Sequence, residues 1–166
     1  MAEQRGFLGV PEGLRANAEF QSSLVRLAIW TFGTLYIVLA AATDYYKVDV
    51  PYFITLFILF ASIYVGLFVS VLIRPDWPPR RYVALSLDIV AISLAIFITC
   101  EAISPFYLLY IWIFISAGTR YGARHLIVAS VEAVVAYSLV LTALNQWGRH
   151  PFEAIFFLLL LVLLPL

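Results

Sequence analysis

Residues 51–73, PYFITLFILFASIYVGLFVSVLI, run for 23 positions without a charge, and residues 74–81, RPDWPPRR, follow at once with three arginines and three prolines. A bilayer core of roughly 30 Å takes about 20 helical residues to cross, so the first stretch reads as a membrane-spanning helix and the second as a basic loop at one membrane face. Pro75, Pro78 and Pro79 stiffen that loop in an extended form, since each fixes its own backbone angle and biases its predecessor away from helix.

Working outward from this pair, five more apolar runs cover residues 24–43, 82–99, 103–118, 125–144 and 151–166. The run 103–118 is short for a span, and 151–166 ends with the chain. With six spans, Arg5, Arg15 and Arg26, then Arg74, Arg80 and Arg81, then Arg120 and Arg124 all fall on one face, while Lys47 and Arg149 alone fall on the other. Cytoplasmic loops are enriched in Lys and Arg, so this split of eight against two places both termini inside. The expected fold is an all-α membrane protein, a polytopic bundle of six transmembrane helices. Residues 1–23 form a cytoplasmic N-terminal juxtamembrane segment and residues 24–166 a six-helix transmembrane domain.

Composition points the same way: 64% apolar and 12% charged residues do not describe a soluble domain, which carries about 25% charged residues. The first 23 residues are too polar for the apolar region of a signal peptide, so the first span is expected to be retained. The loops are too short to hold a domain. No glycine-rich phosphate loop, nucleophile elbow or HExxH motif occurs, which leaves no sign of an active site, a metal site or a cofactor. The single cysteine, Cys100, reads as a small apolar filler at a helix end.

Polar groups within the spans therefore carry the functional question, because an ionisable side chain in hydrocarbon is costly and normally has a partner in the bundle interior. Asp88 and Glu132 both lie roughly 9 to 11 Å from the basic face at 1.5 Å per helical residue. At a shared level they can face each other or share a cation, with Arg26, Arg120 and Arg124 long enough to reach inward. The alternative is that each is protonated or bonded to a helix neighbour such as Ser86, Ser130 or Tyr137 and holds the bundle in register. Glu101 and Glu153 read as solvated helix ends. Trp77, Trp147, Tyr45, Tyr46, Tyr52, Tyr82 and Tyr121 form an aromatic belt. Tyr107, Tyr110, Trp112 and Phe114 crowd the short fourth span, where they pack against helices, lipid or an acyl chain. In residues 117–122, AGTRYG, Gly118 or Gly122 can take the left-handed conformation that closes a helix.

Three stretches carry a resemblance: Arg81 to Asp88 (RYVALSLD), Pro105 to Trp112 (PFYLLYIW) and Gly118 to Leu126 (GTRYGARHL). In order and spacing they resemble the transmembrane input region of RpfC-type sensor histidine kinases, as do Glu19 to Arg26 and Trp147 to Pro151. The resemblance implies a multi-pass sensor domain of the bacterial inner membrane, set among membrane lipids. It further implies an amphiphilic small-molecule signal of the cis-unsaturated fatty-acid type used in quorum sensing, with output through the last helix to a cytoplasmic histidine kinase module absent from this chain. It implies homodimerisation, no catalysis by this chain and no nucleic-acid partner. The candidate ligand-binding or signal-coupling residues are Asp88, Glu132, Arg120, Tyr121, Arg26, Trp112, Tyr110 and Glu19. A fatty-acid carboxylate would need a cation, from Arg15, Arg26, Arg120 or Arg124 inside, or from Arg149 or His150 outside. The rival expectations are a structural subunit packing against a larger membrane complex, and a small proton- or cation-coupled transporter, which would show inverted repeats and broken spans.

Overall fold

The computed structural model describes residues 18–74, 77–100 and 104–165. Arg5, Arg15, Pro75, Glu101 and the first residues of the fourth apolar run lie outside them. The helices are α1 (Ala18–Ala42), α2 (Val50–Ile73), α3 (Pro79–Thr99), α4 (Leu108–Tyr121), α5 (Ala123–Ala143) and α6 (Pro151–Leu163). A 3₁₀ turn, Pro105–Tyr107, leads into α4, and a single helical turn, Gln146–Arg149, precedes α6. No strand occurs among the described residues.

All six apolar runs are helical, and α1, α2, α3 and α5 are long and apolar enough to cross a membrane. The other two are shorter. With 14 residues α4 extends about 21 Å, and its 3₁₀ turn adds roughly 6 Å; with 13 residues α6 extends about 20 Å. Prolines stand where sequence placed them, in the first turns of α2, the 3₁₀ turn and α6, where a missing N–H costs no hydrogen bond. Asp49 caps α2 through Tyr52 N at 3.1 Å.

Two boundaries differ from the apolar runs. α1 begins by Ala18, so residue 23 lies inside a continuous helix and Glu19 sits in its first turn. α3 begins at Pro79, which places Arg80 and Arg81 on its first turn rather than in the loop. Helical hydrogen bonding does not stop where polarity begins, and polar first turns are ordinary where side chains supply partners. Cys100 is exposed and left-handed (φ 55°) at the end of α3, so it packs no core.

α5 is the centre of the bundle, packed on α3, α4 and α6, while α1 and α2 pack on each other and join the rest chiefly through α3. The α5 core is small and aromatic: Ala129, Ala133, Tyr137 and Leu141 are wholly buried against Tyr107, Tyr110 and Phe157. The alanines admit neighbouring backbones closely, which is how membrane helices gain van der Waals contact without a hydrophobic driving force.

Candidate functional site

The end of the bundle that carries Arg74, Arg80, Arg81, Arg120 and Arg124 holds two ionic clusters. In the first, Glu19 of α1 is held by Arg80 and Arg81 of α3, with Arg81 Nε 2.7 Å from Oε1. Arg80, only 3% exposed, also donates through Nη1 to Ser70 O at 2.9 Å, Ser70 Oγ at 3.2 Å and Arg74 O at 2.7 Å. Ser70 O also accepts from Arg74 N at 2.9 Å, and Arg74 O lies past the last turn of α2, so one guanidinium closes α2 and fastens it to α1 and α3.

The second cluster lies deeper. Arg26 Nε of α1 donates to both carboxylate oxygens of Asp88 on α3, at 2.6 and 2.8 Å, and Tyr64 OH of α2 donates to Oδ1 at 3.2 Å. Three helices thus meet at one carboxylate. The side chains of Arg26 and Asp88 are 13% and 18% exposed, so each neutralises a charge that the surroundings would not solvate.

Glu132 does not join them. It accepts from Ser86 Oγ at 3.0 Å, and Ser86 lies two residues from Asp88, about 200° around α3. Of the two readings of these acids, a coupled pair and bonding to helix neighbours, Glu132 follows neither in full: it is not paired with Asp88, and its bond crosses from α5 to Ser86 of α3. Ser130 bonds instead to Leu161 O at 3.2 Å.

Between the α1–α2 pair and α3–α4 runs an apolar cleft of about 150 Å³. Ile29, Trp30, Phe57, Ile92, Leu109 and Trp112 line its length, and Arg26, Asp88, Arg81, Arg120 and Tyr121 lie along it as well. Phe106 narrows it: its ring meets Tyr36 edge-on at 5.7 Å and stands close over Gly33. Trp30 stacks on Phe57 with centroids 4.6 Å apart. Arg81 Cζ lies 5.4 Å from the Tyr121 ring centre, a cation–π contact that orients both. Arg120 Nη1 is buried and has no hydrogen-bond partner among the described residues.

Of the eight candidate residues, the cleft gathers Arg26, Asp88, Trp112, Arg120 and Tyr121. Glu19 lies in the neighbouring ionic cluster. Tyr110 is completely buried and bonds Ser93 Oγ at 2.7 Å, so it packs α4 on α3. Gly122 closes α4 at φ 86°, ψ 179°, a region nearly closed to other residues, while Gly118 stays helical. Glu153 is exposed, 3.6 Å from His150 Nδ1.

Over 155 residues, 92% of its length, the chain is 28% identical to the sensory/regulatory protein RpfC in two strains of Xanthomonas campestris pv. campestris. The chain resembles RpfC. It spans 21% of the length of those relatives. The resemblance to RpfC and the four long apolar helices together imply a membrane protein. No family model and no solved structure matches the chain.

Sequence reasoning missed Tyr64, Arg80 and Ser70. Tyr64 and Ser70 sit in an uncharged run where one hydroxyl looks like another. Arg80 differs from Arg81 in sequence only by one step of 100°, which turns it inward.

Proposed function

We infer that this chain is the membrane-embedded, signal-sensing input domain of a two-component sensor histidine kinase. It has six transmembrane helices, both termini in the cytoplasm, in the bacterial inner membrane. The observation that carries this is the cleft: an apolar slot with cations along it, walled by two helix pairs that share few contacts outside their ion pairs. An amphiphile of the fatty-acid type suits such a slot, with its chain along Trp30 and Trp112 and its carboxylate toward Arg120. Binding that favours one spacing of α1–α2 against α3–α4 shifts the population of bundle packings. α6, packed on α5, passes the change to a cytoplasmic kinase module that holds the catalytic machinery, within a homodimer.

The test is a chimera of residues 1–166 with the cytoplasmic part of RpfC, reconstituted in vesicles. Autophosphorylation is measured with a cis-unsaturated medium-chain fatty acid and with its saturated analogue. A response to the cis acid that Ala91→Phe, which fills the cleft, abolishes supports the reading. An unresponsive chimera that is active as a kinase sinks it. Reporter fusions at Lys47 and Arg124 test orientation: Lys47 outside and Arg124 inside.

A further inference from the structure

Arg120 ends α4 with a buried guanidinium nitrogen for which no partner exists among the described residues. Every other cation lining the cleft is matched: Arg26 by Asp88, and Arg81 by Glu19 and the Tyr121 ring. An unmatched cationic donor in a low-dielectric site carries a desolvation cost that an anion would remove. The cleft that it borders is apolar and partly open, so the anion must carry hydrocarbon. Arg120 also lies in the last turn of a bundle helix, at the same basic end as Arg74, Arg81 and Arg124, and basic residues of this kind gather at a membrane face.

We propose that the cleft is a binding site for an anionic phospholipid of the leaflet at the basic end, its phosphate on Arg120 and one acyl chain between α1–α2 and α3–α4. Charge complementarity selects this occupant. The basic end presents Arg74 and Arg124 exposed beside Arg120, and basic pockets between membrane helices at such a face hold anionic headgroups. Arg suits phosphate because its planar fork donates two parallel hydrogen bonds. The cleft is partly open, so only one chain need enter it and the second stays in the bilayer. The site stands on the cleft and Arg120 and is independent of whether the chain senses a signal.

Trp30 and Trp112 line the cleft and report on it directly. The full chain, with Trp77 and Trp147 replaced by Phe, is placed in phosphatidylcholine vesicles. Quenching by phosphatidylglycerol brominated on its acyl chain is compared with that by brominated phosphatidylcholine at equal mole fraction. One cation matched to one headgroup gives a preference of about fivefold for phosphatidylglycerol. Arg120→Lys keeps part of it through charge alone, Arg120→Gln loses it, and Ala91→Phe loses it with Arg120 intact. Arg124→Gln, which changes an exposed cation, leaves it unchanged. Equal quenching by both lipids overturns the proposal, as does a preference that survives Arg120→Gln or one lost equally in Arg124→Gln. Stronger Arg120-dependent quenching by a brominated free fatty acid overturns the phospholipid as occupant.

Discussion

Arg26 and Asp88, 62 residues apart in sequence, form a two-oxygen ion pair at 2.6 and 2.8 Å that fastens α1 to α3. Because the α1–α2 pair reaches the rest of the bundle chiefly through α3, this pair and the Glu19 cluster hold the two halves together. Removing one partner leaves a buried charge unmatched, so Asp88→Asn and Arg26→Gln are each expected to cost about 3–5 kcal/mol. The double replacement Arg26→Leu with Asp88→Leu recovers a large part of that loss. Thermal unfolding in detergent measures all three; additive losses in the double variant would show that the two groups do not act as a pair.

Tyr64→Phe removes one hydroxyl donor from Asp88 and leaves the Arg26 bonds in place. Its expected cost is about 1 kcal/mol, well below that of Asp88→Asn. The same unfolding measurement ranks the two.

Glu132→Gln provides the contrast. Its partner is Ser86 Oγ, which can donate equally well to an amide oxygen, so the change should cost less than about 1 kcal/mol. A loss as large as that of Asp88→Asn would mean that Glu132 carries a charge on which the bundle depends.

Arg80→Lys keeps the charge but cannot reach Glu19, Ser70 and Arg74 O together, since an ammonium lacks the guanidinium's fixed fork. The end of α2 is expected to loosen, seen as faster amide hydrogen exchange over its last turn and a lower melting temperature. Arg81→Lys, at a half-exposed position, should change both much less. Equal sensitivity of the two variants would refute the role given to Arg80.

Gly122 and Gly118 separate backbone strain from packing. Gly122→Ala puts a Cβ at φ 86° and is expected to cost about 1–3 kcal/mol although nothing lies within 4 Å of that atom. Gly118→Ala stays helical, meets Leu126 at an ordinary 3.5 Å, and should be neutral or stabilising by about 0.5–1 kcal/mol. Melting temperatures of the two variants give the order directly.

The helices were legible because each apolar run announces itself one residue at a time. Prolines 51, 105 and 151 and the Gly122 closure belong to the same local chemistry. A resemblance on short motifs was equally legible and holds over 92% of the chain. The depth of Asp88 and Glu132 also follows from counting residues at a fixed rise, which is why both stood out.

Depth is one coordinate of a side chain on a helix; the direction it faces is another. Whether Asp88 meets Glu132 or Arg26 depends on how α1, α3 and α5 are arranged around one another, and no residue count contains that. Tertiary packing turned Asp88 toward α1 and α2, Ser86 toward Glu132, and Arg80 inward beneath α2. It also left Arg120 Nη1 without a partner among the described residues, beside an apolar cleft. By itself the sequence determined the helices and the levels of the charges within them, since hydrophobicity and backbone hydrogen bonding are local. Only the tertiary structure decided which charges pair and where a ligand has room, because those depend on the rotation and spacing of helices far apart in the chain.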